Sequence, residues 1–103
     1  MEIKLTTWER VQLIQLVGGA RGNVVQVRLG LKALDILELD EAEKQRVGWM
    51  DVSATQSQWQ DTELEWDLKF DDDTWAFIQA LAKRRQDWPI SSLVVQLLEK
   101  LGL

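Results

Sequence analysis

From Thr62 to Phe70 the sequence TELEWDLKF alternates polar and apolar residues without a break. Successive side chains of a strand point to opposite faces, so the regular form that suits this run is a strand with one face buried. Leu64, Trp66, Leu68 and Phe70 fall on the buried face, with Glu63, Glu65, Asp67 and Lys69 opposite. Three aspartates, Asp71 to Asp73, then end the alternation, and apolar residues recur at helical spacing. A chain that moves from helical period to period two and back is neither all-helical nor all-strand. It is expected to be α+β, with about five helices around a small antiparallel sheet of two or three strands.

Three of those helices precede the sheet. The first starts near Thr6, where Thr6 and Glu9 form a capping-box pattern, and buries Val11, Leu13, Ile14, Leu16 and Val17 before Gly18-Gly19 stops it. Asn23 caps the second, whose Val24, Val27, Leu31 and Leu34 are placed inward, with Gln26, Arg28 and Lys32 outward. A short third helix follows Asp40, again with a glutamate, Glu43, three residues on. Period two then holds from Gly48, with Met50, Val52 and Ala54 on one face, through turn formers around Trp59 to Phe70. Two helices close the chain. The fourth carries Trp75, Ile78, Leu81 and Ala82 inward and ends at Lys83, Arg84 and Arg85, cations that suit the negative end of its dipole. Pro89 fits the first turn of the fifth, which places Ile90, Leu93, Val94, Leu97, Leu98 and Leu101 on one stripe. Residues 1–103 have the size of one domain.

Composition narrows the chemistry. The chain has no Cys and no His, which removes disulfides, thiolate nucleophiles, imidazole bases and the usual zinc sites. Ser91 and Ser92 have no activating partner in the sequence, and Gly18-Gly19 with Gly22-Asn23 lacks the Lys-Ser/Thr element of a phosphate loop. Glu63 and Glu65 are a carboxylate pair without any accompanying glycosidase signature. Asp71 to Asp73 lack the alternating ligands, the glycine and the closing glutamate of a calcium loop. At a strand-to-helix junction they read as cap and first-turn residues instead. No catalytic role, cofactor or metal is expected, and no apolar run is long enough to span a membrane.

Charge is the more informative property. Residues 35 to 73 hold thirteen acids against three bases, while the rest of the chain carries four acids and nine bases. The acidic middle can therefore attract a basic partner and repel nucleic acid. Glu63, Glu65 and Asp67 are its candidate docking residues, against the plainer alternative of a solvated strand face that discourages aggregation. Trp59 lies among polar residues; it is expected to fold back over the sheet, and if exposed it would be an interface anchor. The opposite charge collects at Arg21, Arg28 and Lys32, the candidate residues for nucleic-acid binding. Short helices before a hairpin suggest a winged helix-turn-helix, yet the helix next to the hairpin reads DEAEKQRV, acidic where a groove-reading helix needs Arg, Asn or Gln. Protein binding is thus the leading reading, and nucleic-acid binding the alternative.

The order of these segments also resembles that of small acidic, uncharacterised proteins encoded by bacteriophages and prophages. The resemblance rests on Leu5-Thr6, Glu9-Arg10, Leu13 and Leu16 in the first helix, and on the Gly22-Asn23 loop before an aliphatic helix. It continues through LELDEAE, Trp59 in a hairpin, the Glu-alternating strand and two closing helices. It implies a phage or prophage origin, residence in the cytoplasm of a bacterial host, and no defined activity. A monomer or homodimer that binds a host or phage protein, modulating or inhibiting host machinery, is the expectation that follows. A structural or assembly protein is the third reading.

Overall fold

The computed structural model describes residues 1–103 and contains five helices and two small antiparallel sheets. Strand β1 (Glu2–Thr6) pairs with β4 (Glu65–Lys69), setting Ile3 against Leu68, Lys4 against Asp67 and Leu5 against Trp66. The two alternating patterns mesh, so Ile3, Leu5, Trp66 and Leu68 share the inner face. Two strands alone are marginal in water; here the apolar face packs on the helices. The expected neighbour of β4 was the segment from Gly48, and that expectation is corrected. Met50–Asp51 (β2) and Ser57–Gln58 (β3) form a separate two-residue hairpin. The strand β1, too short to stand out at the head of the first helix, takes the place beside β4.

Thr6 ends β1 and also caps α1 (Thr7–Gly18), with Glu9 completing the capping box. Helices α2 (Val24–Leu37), α3 (Glu41–Val47), α4 (Asp72–Arg84) and α5 (Ser92–Lys100) follow the expected order. Asn23 with Gln26, and Asp40 with Glu43, form two further capping boxes. The main core joins Leu5 and Phe70 to Leu13 and Val17 of α1, Ala33 and Leu37 of α2, Trp75, Ile78 and Ala82 of α4, and Leu97 and Leu101 near the C-terminus. A smaller cluster of Leu39, Val47 and Trp66 lies under the β2–β3 hairpin, with Trp49 and Trp59 packed against it.

Several apolar stripes differ from expectation. In α2, Val24, Val27 and Leu31 are 67%, 52% and 59% exposed, because the helix rests on the face carrying Ala33 and Leu37. Met50 and Val52 are exposed, while Trp49 is the half-buried residue of that segment. Ile90 and Leu93 are exposed too: α5 begins only after Ser91, whose hydroxyl accepts from the Leu93 and Val94 N–H groups, so Pro89 precedes the helix. The strand near Thr62 is shorter than the alternation. Asp61 accepts from the N–H groups of Glu63 and Leu64 at 3.1 and 3.0 Å, turning the chain before β4 begins. Gly19 ends α1 at φ −87° without using glycine's left-handed range; Gly48, at φ 70°, does use it to close α3.

Candidate functional site

The acidic strand face is more balanced in space than in sequence. On the outer side of the β1–β4 sheet Asp67 lies opposite Lys4, with 4.0 Å between their charged atoms, and Lys69 lies opposite Glu2. Lys100 reaches from the end of α5 to Glu9 at 2.7 Å and Glu65 at 3.2 Å. Burial alone would lower the Lys100 pKa, but hydrogen bonds and charge from Glu9 and Glu65 outweigh it and raise it above the ordinary value. Glu65 and Asp67 are therefore partly neutralised, and Glu63 stands apart in the Asp61 turn.

Asp71 supplies the α4 cap. One carboxylate oxygen accepts from the Thr74 N–H at 2.7 Å, and the other lies 3.6 Å from Lys32. The Thr74 hydrogen bonds, backed by Lys32, hold Asp71 below the usual carboxylate range. Asp72 and Asp73 occupy the first turn, where the dipole favours acids.

The most built surface depression lies beside the β2–β3 hairpin. Gly48 turns the chain after α3, and the Val47 carbonyl accepts from Gln60 and Asp61 N–H at 2.8 and 3.1 Å, fastening the hairpin to α3. The hairpin register places Trp49 and Trp59 at the next cross-strand position, and their rings stack at 5.4 Å and 10°. Lys44 lies over the Trp49 ring at 5.6 Å. The Trp49 indole donates to Asp51 at 3.0 Å, and Ser57 donates to the same oxygen at 2.7 Å. These bonds, Ser57 first, depress the Asp51 pKa.

Trp8 of α1 faces this stacked pair across a trough of about 500 Å³, bounded by Gln12, Gln15, Glu38 and Lys44. A second depression of about 580 Å³ shares Trp8, Ser57 and Trp59 and continues past Thr62 to Leu93. The Trp66 and Trp88 indoles donate to Thr7 and to the Ala82 carbonyl, whereas those of Trp8 and Trp59 have no acceptor in the chain. The trough thus combines an aromatic floor and free donors with one carboxylate, Glu38, and one cation, Lys44, at its edge. Trp59 belongs to it; Trp8 and Trp49 were not singled out from sequence. Two tryptophans equally spaced about a turn centred on Ala54 were the available signal.

Beneath the hairpin lies a second feature missed in the sequence. Arg10 is buried, donating to the carbonyls of Leu37 at 2.8 Å and Glu38 at 2.9 Å and pairing with Glu43 at 2.9 Å. Its guanidinium and that of Arg46 sit 5.3 and 5.5 Å from the Trp66 ring centre. This network fixes the end of α2 against α1, α3 and β4, the frame on which the trough is built.

The basic residues are separated from the trough. Arg28 and Lys32 share one flank of α2, and Arg21 lines a groove at its start. Between them α2 exposes Val24, Val25 and Val27, while Gln26, expected outward, is half-buried with its amide oxygen accepting from the Asn23 N–H in the cap. No helix is long and apolar enough to cross a membrane. The sequence matches no protein-family model, and comparisons with curated proteins and with solved structures give no match.

Proposed function

We propose that this protein acts by binding another protein, and that the Trp8–Trp49–Trp59 trough takes a basic, extended segment of that partner. The observation that carries the reading is an aromatic trough with free indole donors, one wall of which is α1 and the other the acidic stretch that carries Glu38, Trp49 and Trp59. Exposed tryptophan faces attract Arg and Lys side chains, and aromatic grooves suit extended backbones whose carbonyls accept from indole N–H groups. Glu38 lies on the rim, and Glu63 follows Trp59 in an acidic run, adding attraction. Glu65 and Asp67, already paired with Lys100 and Lys4, contribute less. The resemblance to phage proteins makes a host or phage protein the partner class, with modulation of host machinery as the outcome we propose.

Titration with basic and acidic extended peptides, followed by tryptophan fluorescence, tests this. Basic peptides are expected to bind, and Trp59→Ser to weaken them at least tenfold while the fold persists. Equal binding of both peptide classes, or an indifferent Trp59→Ser, would refute it. Tight, salt-sensitive binding of duplex DNA that Arg28→Glu abolishes would instead establish the nucleic-acid alternative.

A further inference from the structure

We infer that the exposed face of α2 is a second docking site, and that its occupant is an acidic amphipathic helix of a partner protein. Val24, Val27 and Leu31 recur at helical spacing and form a continuous stripe, each more than half exposed. Beside it runs a groove of about 170 Å³, walled by Val17, Leu34 and Phe77 and floored by Gly30. That volume is comparable to an apolar cavity able to hold one benzene ring, so it suits one large side chain.

Gly30 is the telling residue. Glycine in the middle of a helix is unfavourable relative to alanine, so a packing need usually accounts for it. No such need exists here. A methyl group at Gly30 would meet Val17 at 3.6 Å and Phe77 at 3.7 Å, ordinary van der Waals distances. What a side chain there would do is fill the groove. The absence of one keeps an aliphatic slot open beside an aliphatic stripe, the arrangement that accepts the i, i+3/i+4, i+7 anchors of a docked helix.

Charge selects the occupant. Arg28 borders the stripe and Arg21 the groove, with Lys32 beside them but shared with Asp71 at 3.6 Å, while Asp35, near the far end of the stripe, is the one carboxylate on α2. Packing two copies face to face through α2 would set these cations against each other, which disfavours a second copy. Apart from the seven-residue α3, the chain's own helices carry few acids (Glu9 in α1, Asp72 and Asp73 in α4, Glu99 in α5), so none of them offers a long acidic face to cover the stripe. An acidic helix from another protein satisfies both the apolar and the charge requirement. This site shares no lining residue with the tryptophan trough and stands independently of it.

The test uses the intact chain, isotope-labelled for NMR, and two synthetic amphipathic helices of about 20 residues, beyond the length of roughly 12–15 at which isolated helices are marginal. Both carry the same leucine stripe, flanked by glutamates in one and by lysines in the other. The acidic peptide is expected to shift the resonances of Val17, Gly30, Leu34 and Phe77 and to bind at least tenfold more tightly than the basic one. Gly30→Leu should weaken it at least tenfold, and Arg28→Glu with Lys32→Glu should invert the preference, while Trp59→Ser leaves it unchanged. If Gly30→Leu does not fold, the surface change Val27→Glu serves the same purpose. Shifts confined elsewhere, equal affinity for both peptides, or indifference to these substitutions would overturn the proposal. So would a stable dimer in sedimentation that Leu31→Glu dissociates, since a second copy would then own this face.

Discussion

Replacing Arg10 with methionine should destabilise the protein more than any exposed charge change, and the geometry sets the size of the loss. The guanidinium is about 1% exposed, whereas Glu43 retains 25% exposure. Its removal leaves the Leu37 and Glu38 carbonyls without their donor and strips Glu43 of its counter-charge. Breaking a buried pair from one side typically costs ~3–5 kcal/mol. Glu43 still reaches water and still accepts from the Asp40 N–H at 3.1 Å, which places the cost in the lower part of that range, ~3–4 kcal/mol. For a domain whose total stability is ~5–15 kcal/mol, that is a large fraction. Urea melts followed by far-UV circular dichroism measure it, with Glu43→Gln and the double variant completing a cycle. A surface pair would weaken in high salt, whereas this buried one should lose little. An Arg10→Met loss under about 1 kcal/mol, the usual range for exposed pairs, would show that the network is incidental to the fold.

Other expectations follow from the same contacts. Trp66→Ala should cost ~3–5 kcal/mol in the same melts, since the ring is buried, lies close to two guanidiniums and donates to Thr7. Gly30→Ala should stabilise by ~0.5–1 kcal/mol, because the helix gains propensity and the methyl meets only ordinary contacts; a destabilisation would mean the site is already tightly packed. Because the folded Lys100 pKa is raised above 10.5, its contribution is complete below that pH and is lost as pH climbs through the folded value. Lys100→Met should therefore remove part of the alkaline fall in melting temperature. Asp71 behaves oppositely: its pKa is lowered from 3.8, so its cap is present above that pH and fails as pH falls through the depressed value. Asp71→Ala should lower the melting temperature at neutral pH more than Asp72→Ala does, the reverse order identifying Asp72 as the cap.

Local chemistry was legible in the chain wherever it depends on a few neighbouring residues. Thr6 with Glu9, Asn23 with Gln26, and Asp40 with Glu43 start helices because each cap satisfies backbone donors within one turn. The alternation of β4 fixed which of its faces is buried, since Trp66 and Leu68, two residues apart, share a face only in a strand. What that strand pairs with was not local. Choosing β1 over the nearer hairpin segment requires chain ends far apart in sequence to meet, and no spacing rule reports that meeting. Helical spacing likewise marked Val24, Val27 and Leu31 as a stripe, but could not tell a face turned to the core from one turned to solvent. That was decided when Ala33 and Leu37 packed against α1 and α4, because a helix can rest on only one side. The same packing buried Arg10, which in sequence looks like any polar residue of a helix, and brought Trp8 across from the Trp49–Trp59 stack to make the trough. Periodicity determines which residues travel together; only the competition among faces for one interior determines which of them remain available to a partner.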